Sequence, residues 1–168
     1  MDVIRENIEA VRQISIQLFG LQLPQSAINK MARETIFFLY EGGESQKWSY
    51  ERPHSAAARA LHRQALAGRV RFSSATFPVT YDHAIPLNAI NDDMRMATET
   101  PEKMSHFLSR YVQGVVILKE ENATLSRFKL RSRLPLGARQ DDLLARYRAA
   151  GIKFEPEDEA KLRRGTPA

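Results

Sequence analysis

Val79-Thr80-Tyr81-Asp82-His83-Ala84-Ile85-Pro86-Leu87 is the stretch on which the reading of this chain turns. Val79 and Tyr81, with Phe77 before them, are β-branched and aromatic residues that suit an extended, half-buried chain. Pro78 cannot donate to a ladder, so it moves the strand toward an edge position or delays its start to Val79. Asp82 and His83 then fall at the strand's end. An adjacent carboxylate and imidazole can divide one task. The carboxylate can hold a hard divalent cation, and the imidazole can accept a proton near neutral pH. A strand-end Asp serves as readily in a turn or a cap, so the pair carries weight only through its surroundings.

The surroundings supply a second block. Val115-Val116-Ile117-Leu118-Lys119 reads as a strand, and Glu120-Glu121-Asn122-Ala123-Thr124-Leu125 opens a helix directly after it. Taken with this order, Asp82-His83-Ala84-Ile85-Pro86-Leu87 resembles the first motif of the HNH endonucleases, the ββα-metal nucleases, which often reads Asp-His-Ile-Ile-Pro-Leu. The resemblance spans roughly residues 69–130 in two blocks. It implies His83 as general base and Asp82 as a metal ligand. It implies Asn122 as the last ligand, with Glu121 as the alternative, and Asn91 in the part of the middle Asn that orients the base. It also implies a divalent cation, Mg²⁺ or else Mn²⁺. The chain departs from the compact family pattern between the blocks, where a helical insertion stands in place of a short loop.

Charge points the same way. The 168 residues carry 25 Lys and Arg against 20 Asp and Glu, a formal net charge of +5. A cationic surface gains free energy from a polyanion by releasing its counterions, although a modest excess also serves solubility. The distribution is more telling. Arg59, Arg63, Arg69 and Arg71 precede the Asp-His pair, and Lys119, Arg127, Lys129, Arg131 and Arg133 surround the second block. Arg69, Arg71, Lys119, Arg127, Lys129, Arg131 and Arg133 are therefore the expected nucleic-acid contacts, with DNA ranked ahead of RNA. There is no cysteine, which excludes disulfides, Cys-ligated zinc and thiol nucleophiles. No apolar run approaches a membrane span, and the first residues lack a signal-peptide pattern. A cytoplasmic setting is expected.

Working outward, apolar Ile4, Ile8, Val11, Ile14 (or Ser15) and Leu18 follow three-four spacing and predict a helix over residues 3–19, stopped by Gly20. A second helix runs from Pro24 to about Tyr40, with Ile28, Met31, Thr35, Phe38 and Leu39 inward, and ends at Gly42-Gly43. Residues 44–52 read as a loop whose Trp48 anchors it to the core or, beside Lys47 and Arg52, could stack on a base. Ser55 caps a helix over residues 56–67. His54 and His62 read as surface residues without a role. Residues 70–73 and 77–81 predict a β-hairpin. A short helix over residues 87–96 and one started by Thr100-Pro101-Glu102 fill the insertion. A last helix covers residues 140–150, and the charged end reads as a frayed tail.

The expected fold is α+β and mostly helical: a helical N-terminal extension and loop (1–52), an HNH-like core with its helical insertion and a C-terminal helix (53–152), and a charged tail (153–168). The expected function is a metal-dependent endonuclease that hydrolyses phosphodiester bonds, with a homodimer as one arrangement its helical face would allow. The alternative is a binding module for nucleic acid or a protein partner on the same fold without catalysis.

Overall fold

The structure, a computed structural model, describes residues 3–164. It is α+β and mostly helical, with one two-stranded antiparallel sheet. Helices α1 (Val3–Gly20) and α2 (Gln25–Leu39) pack on each other across a short link. Ile8, Val11, Ser15 and Leu18 form the buried side of α1, while Ile14 is exposed. The Ser15 hydroxyl donates to the Val11 carbonyl one turn back, at 2.7 Å, which lets a polar group sit inside. Ile4's side chain lies outside the described residues. On α2 the buried stripe is Ile28, Ala32, Ile36 and Phe37. Met31 and Phe38, expected inward, face out. Both stripes have helical spacing, and the contact with α1 selects between them.

The segment after α2 contains a one-turn helix α3 (Gly43–Gln46) and then α4 (Ala56–Ala67), whose N-cap Ser55 accepts a hydrogen bond from the Ala58 amide at 3.2 Å. β1 (Val79–His83) pairs with β2 (Gly114–Leu118) in the register Val79↔Leu118, Asp82↔Val115 and His83↔Gly114. The insertion between them holds α5 (Asn91–Ala97) and α6 (Pro101–Tyr111), the latter capped by Thr100. Then come α7 (Lys119–Arg127), α8 (Ala145–Ala149) and α9 (Pro156–Arg164). The main core joins α1, α2, the insertion, the sheet and α7 to α9. A smaller cluster gathers Ala58, Ala65, Phe72, Val79 and Val116.

Four expectations change. The hairpin of residues 70–73 with 77–81 does not form; β1 pairs with β2 instead. Arg69 takes a left-handed backbone with φ 53°, residues 73–76 turn back on themselves, and Phe72 is buried against His62 at a ring separation of 3.9 Å. The other edge of β2 meets residues 53–55, through Ser55 N–H to the Val116 carbonyl at 2.9 Å. His54 and His62 are both buried, with His62 Nδ1 2.9 Å from His54 Nε2. The last expected helix shrinks to α8. The expected tail is packed through residue 164: α9 buries Leu162 and Asp158, and Asp158 pairs with buried Arg59. The end of that tail, residues 165–168, lies outside the described residues. No described helix is long and apolar enough to cross a membrane.

Candidate active site

Successive strand side chains point to opposite faces, and β1 uses both. Tyr81 and His83, two apart, reach the same carboxylate. That carboxylate is Glu41, in the turn after α2. His83 Nε2 lies 2.8 Å from Glu41 Oε2, and the Tyr81 hydroxyl donates to Oε1 at 2.5 Å. Arg52 stands 3.7 Å away and donates to the Glu41 backbone carbonyl. Glu41 is only 7% exposed. Burial alone would raise its pKa, but the charge and hydrogen bond of His83, the Tyr81 hydroxyl and Arg52 together outweigh burial and lower it. Burial and the Glu41 charge raise the Tyr81 phenol, so it remains a donor. With Nε2 engaged, His83 presents Nδ1, which has no partner among the described residues and is not buried.

Gly114 makes this arrangement possible. It sits opposite His83 in the register, and a Cβ there would lie 1.7 Å from the Tyr81 hydroxyl and 2.2 Å from Tyr81 Cζ. The Tyr81 side chain therefore crosses β2 where only glycine leaves room. Its ring packs edge-on against Phe37 at 5.6 Å.

Asp82, out of phase with its neighbours, turns to α8. Its Oδ2 accepts from Arg146 Nη2 at 2.5 Å and from the Tyr147 hydroxyl at 2.9 Å. Arg146 is 1% exposed and also donates to the carbonyls of Ala84 (3.0 Å), Leu130 (2.9 Å), Arg131 (3.3 Å) and His83. Burial, then the Asp82 charge, raises the Tyr147 phenol well above its usual range. Asp82 Oδ1 has no partner among the described residues and is not buried.

Tyr81, Asp82 and His83 stand on the wall of a cleft of about 970 Å³, with Glu41, Arg146 and Tyr147 behind them. Asp82, His83, Asn122, Lys119 and Arg131 all line it, so the structure brings together five of the residues singled out from sequence. The others lie elsewhere. Asn91 opens α5 away from the cleft lining, and the group that holds the His83 ring is Glu41. Glu121 is engaged locally: its Oε2 accepts from the Ser55 hydroxyl at 2.6 Å and from the Leu118 amide at 2.8 Å, closing the start of α7. Arg69, Arg71, Arg127, Lys129 and Arg133 are exposed but do not line the cleft. Sequence reasoning missed Glu41, Arg146 and the cations Lys30 and Arg33 of α2; Lys47, noted beside Trp48, follows α3 and lines the cleft too. Arg33 and Lys47 pair with Glu34 and Glu44 at 3.2 and 2.9 Å. Lys30, Lys119 and Arg131 have no carboxylate partner among the described residues.

Of the residues that could hold a hard cation, Asp82 and Asn122 both line the cleft. Among the described residues no three His, Asp or Glu side chains converge as ligands. Two protein oxygens suit Mg²⁺, which keeps much of its water and takes substrate phosphate as a further ligand. Arg146 and Tyr147 fix the orientation of the Asp82 carboxylate through their hydrogen bonds. Arg146 also balances part of the carboxylate's charge, which weakens Asp82 as a ligand for a cation. No protein-family model, curated protein or solved structure matches the chain.

Proposed function

We propose that this protein is a nuclease that binds the phosphodiester backbone of DNA in the cleft and uses His83 as its general base. One observation carries the proposal: His83, backed by the buried Glu41 at 2.8 Å, lines a cleft that Lys30, Lys119 and Arg131 make cationic. The order of β1 with Asp-His, β2, and α7 with Asn122 supports reading the site as a ββα-metal unit with a helical insertion. His83 Nδ1 takes a proton from the attacking water, and Glu41 stabilises the imidazolium that results. Lys119 and Arg131 hold the phosphate oxygens. A divalent cation, if held by Asp82 and Asn122, would supply Lewis-acid stabilisation of the charge developing on phosphate.

The test is cleavage of supercoiled plasmid with Mg²⁺, with Mn²⁺ and with EDTA. Loss of a general base costs about 10²–10⁴-fold in rate, so His83→Ala is expected to lose metal-dependent nicking. Glu41→Gln is expected to fall between that variant and wild type. Wild-type nicking that His83→Ala retains in full would overturn the assignment. The second reading, a binding module, is favoured by the Arg146 charge already on Asp82. It predicts DNA retarded in a gel and cut under no metal.

A further inference from the structure

We infer that the cleft takes unpaired nucleic acid, with bases stacked on an aromatic wall built by the N-terminal helices; this rests on the nuclease reading and specifies its substrate. Part of the cleft wall comes from α2 and the segment around α3. Phe38 on this wall is 58% exposed. It is nonetheless held in place. Its ring meets Phe37 edge-on at 5.1 Å, and its Cδ1 lies 3.0 Å from where a Cβ on Gly43 would stand. Gly43 has φ +56°, so the backbone there is shaped to lie under the ring. Trp48, half-buried, lines the same cleft and rests edge-on against Phe72 at 6.4 Å. Lys47 Nζ sits 5.4 Å from the Trp48 ring.

A large apolar ring left in water gains nothing by itself. In a cationic cleft, the partner that suits it has both a π-face and a phosphate. Aromatic side chains interleaved with cations are the usual platform for single strands, because every base has a face to offer. In a duplex those faces are stacked on neighbouring base pairs and are not presented to a side wall. On the aromatic wall Lys30 is placed for the backbone of the same strand, while Arg33 and Lys47 pair with Glu34 and Glu44, which line the cleft beside them. Lys119, Arg131 and His83 meet it from the sheet side.

Trp48 is the chain's single tryptophan, so its fluorescence reports on the cleft directly. Twelve-residue oligothymidylate and its duplex with oligodeoxyadenylate are each titrated into the full chain at low salt with EDTA. The single strand is expected to quench Trp48 and to bind at least tenfold more tightly than the duplex. Stacking on one aromatic ring is worth enough that Phe38→Ala should weaken single-strand binding about tenfold. Because Phe38 is exposed, that variant is expected to keep the wild-type melting temperature. Equal affinity for the duplex, or an unchanged affinity in a folded Phe38→Ala, overturns the inference; the nuclease is scored separately, by Mg²⁺-dependent cutting of the plasmid or of the oligothymidylate that His83→Ala loses. Neither binding nor cleavage overturns both.

Discussion

Arg146→Met tests whether the site stands on its buried guanidinium. Arg146 gives charged hydrogen bonds to Asp82 Oδ2 at 2.5 Å and serves four backbone carbonyls from a position 1% exposed. Removing one partner of a buried ion pair costs about 3–5 kcal/mol, because the other charge is left behind. The carbonyls left short of a donor push the cost toward the upper end, while the partial exposure of Asp82 pulls it back. We expect about 4 kcal/mol, a large part of the roughly 5–15 kcal/mol that holds a domain folded. Asp82→Asn preserves shape and the Tyr147 contact but strands the Arg146 charge, and should cost about 2–3 kcal/mol. The assay is urea unfolding of the wild type, both single variants and the double variant. Residues in one network should couple by at least about 1 kcal/mol. A cost under about 1 kcal/mol for Arg146→Met, or additive single effects, would refute the reasoning.

Two further outcomes are expected. Burial first, then the Arg59 charge, depresses His54 to about 3, and burial and Arg59 also lower His62. Both are neutral when folded, so the unfolded chain binds more protons below its own pKa of about 6.5. The full stability is present above that pH and is lost as pH falls toward 3; at pH 5 His54 alone accounts for about 2 kcal/mol. Urea midpoints at pH 7 and pH 5 should therefore draw together in His54→Gln, and an unchanged pH response in that variant would count against the buried neutral pair. Gly114→Ala places a methyl group into the Tyr81 ring, and overpacking of this kind costs about 1–3 kcal/mol. Because it also displaces Tyr81 from Glu41, activity should fall even at temperatures where the variant stays folded. Wild-type cleavage by a folded Gly114→Ala would show that Tyr81 does not support the dyad.

The sequence by itself determined the local features. Ser55 and Thr100 cap their helices through their own side chains, and such caps depend only on residues a few positions away. The apolar runs of residues 79–81 and 115–118 declare strands, and the residues after the second declare a helix. Asp82, His83 and Asn122 were grouped in the sequence only through the resemblance to the HNH endonucleases; the local patterns place them on a strand end and a helix start. Tertiary structure decided what each group meets. Glu41 is 42 residues from His83, Arg146 is 64 from Asp82, and Arg59 is 99 from Asp158. Nothing local marks Glu41, which reads as a charged residue at a helix end. The same limit explains the strand pairing. Residues 70–73 have the β propensity of a hairpin partner, but Phe72 is drawn into the pocket around His62 and β1 takes β2 instead. In α9 the start was written in Pro156-Glu157-Asp158-Glu159, the proline and acids that favour a first turn. Its charge disguised it as a tail, because among the described residues of α9 only Asp158 and Leu162 are fully buried. Local patterns fix where elements begin and end. Which buried carboxylate backs His83 depends on how distant elements pack, and packing is a property of the whole chain.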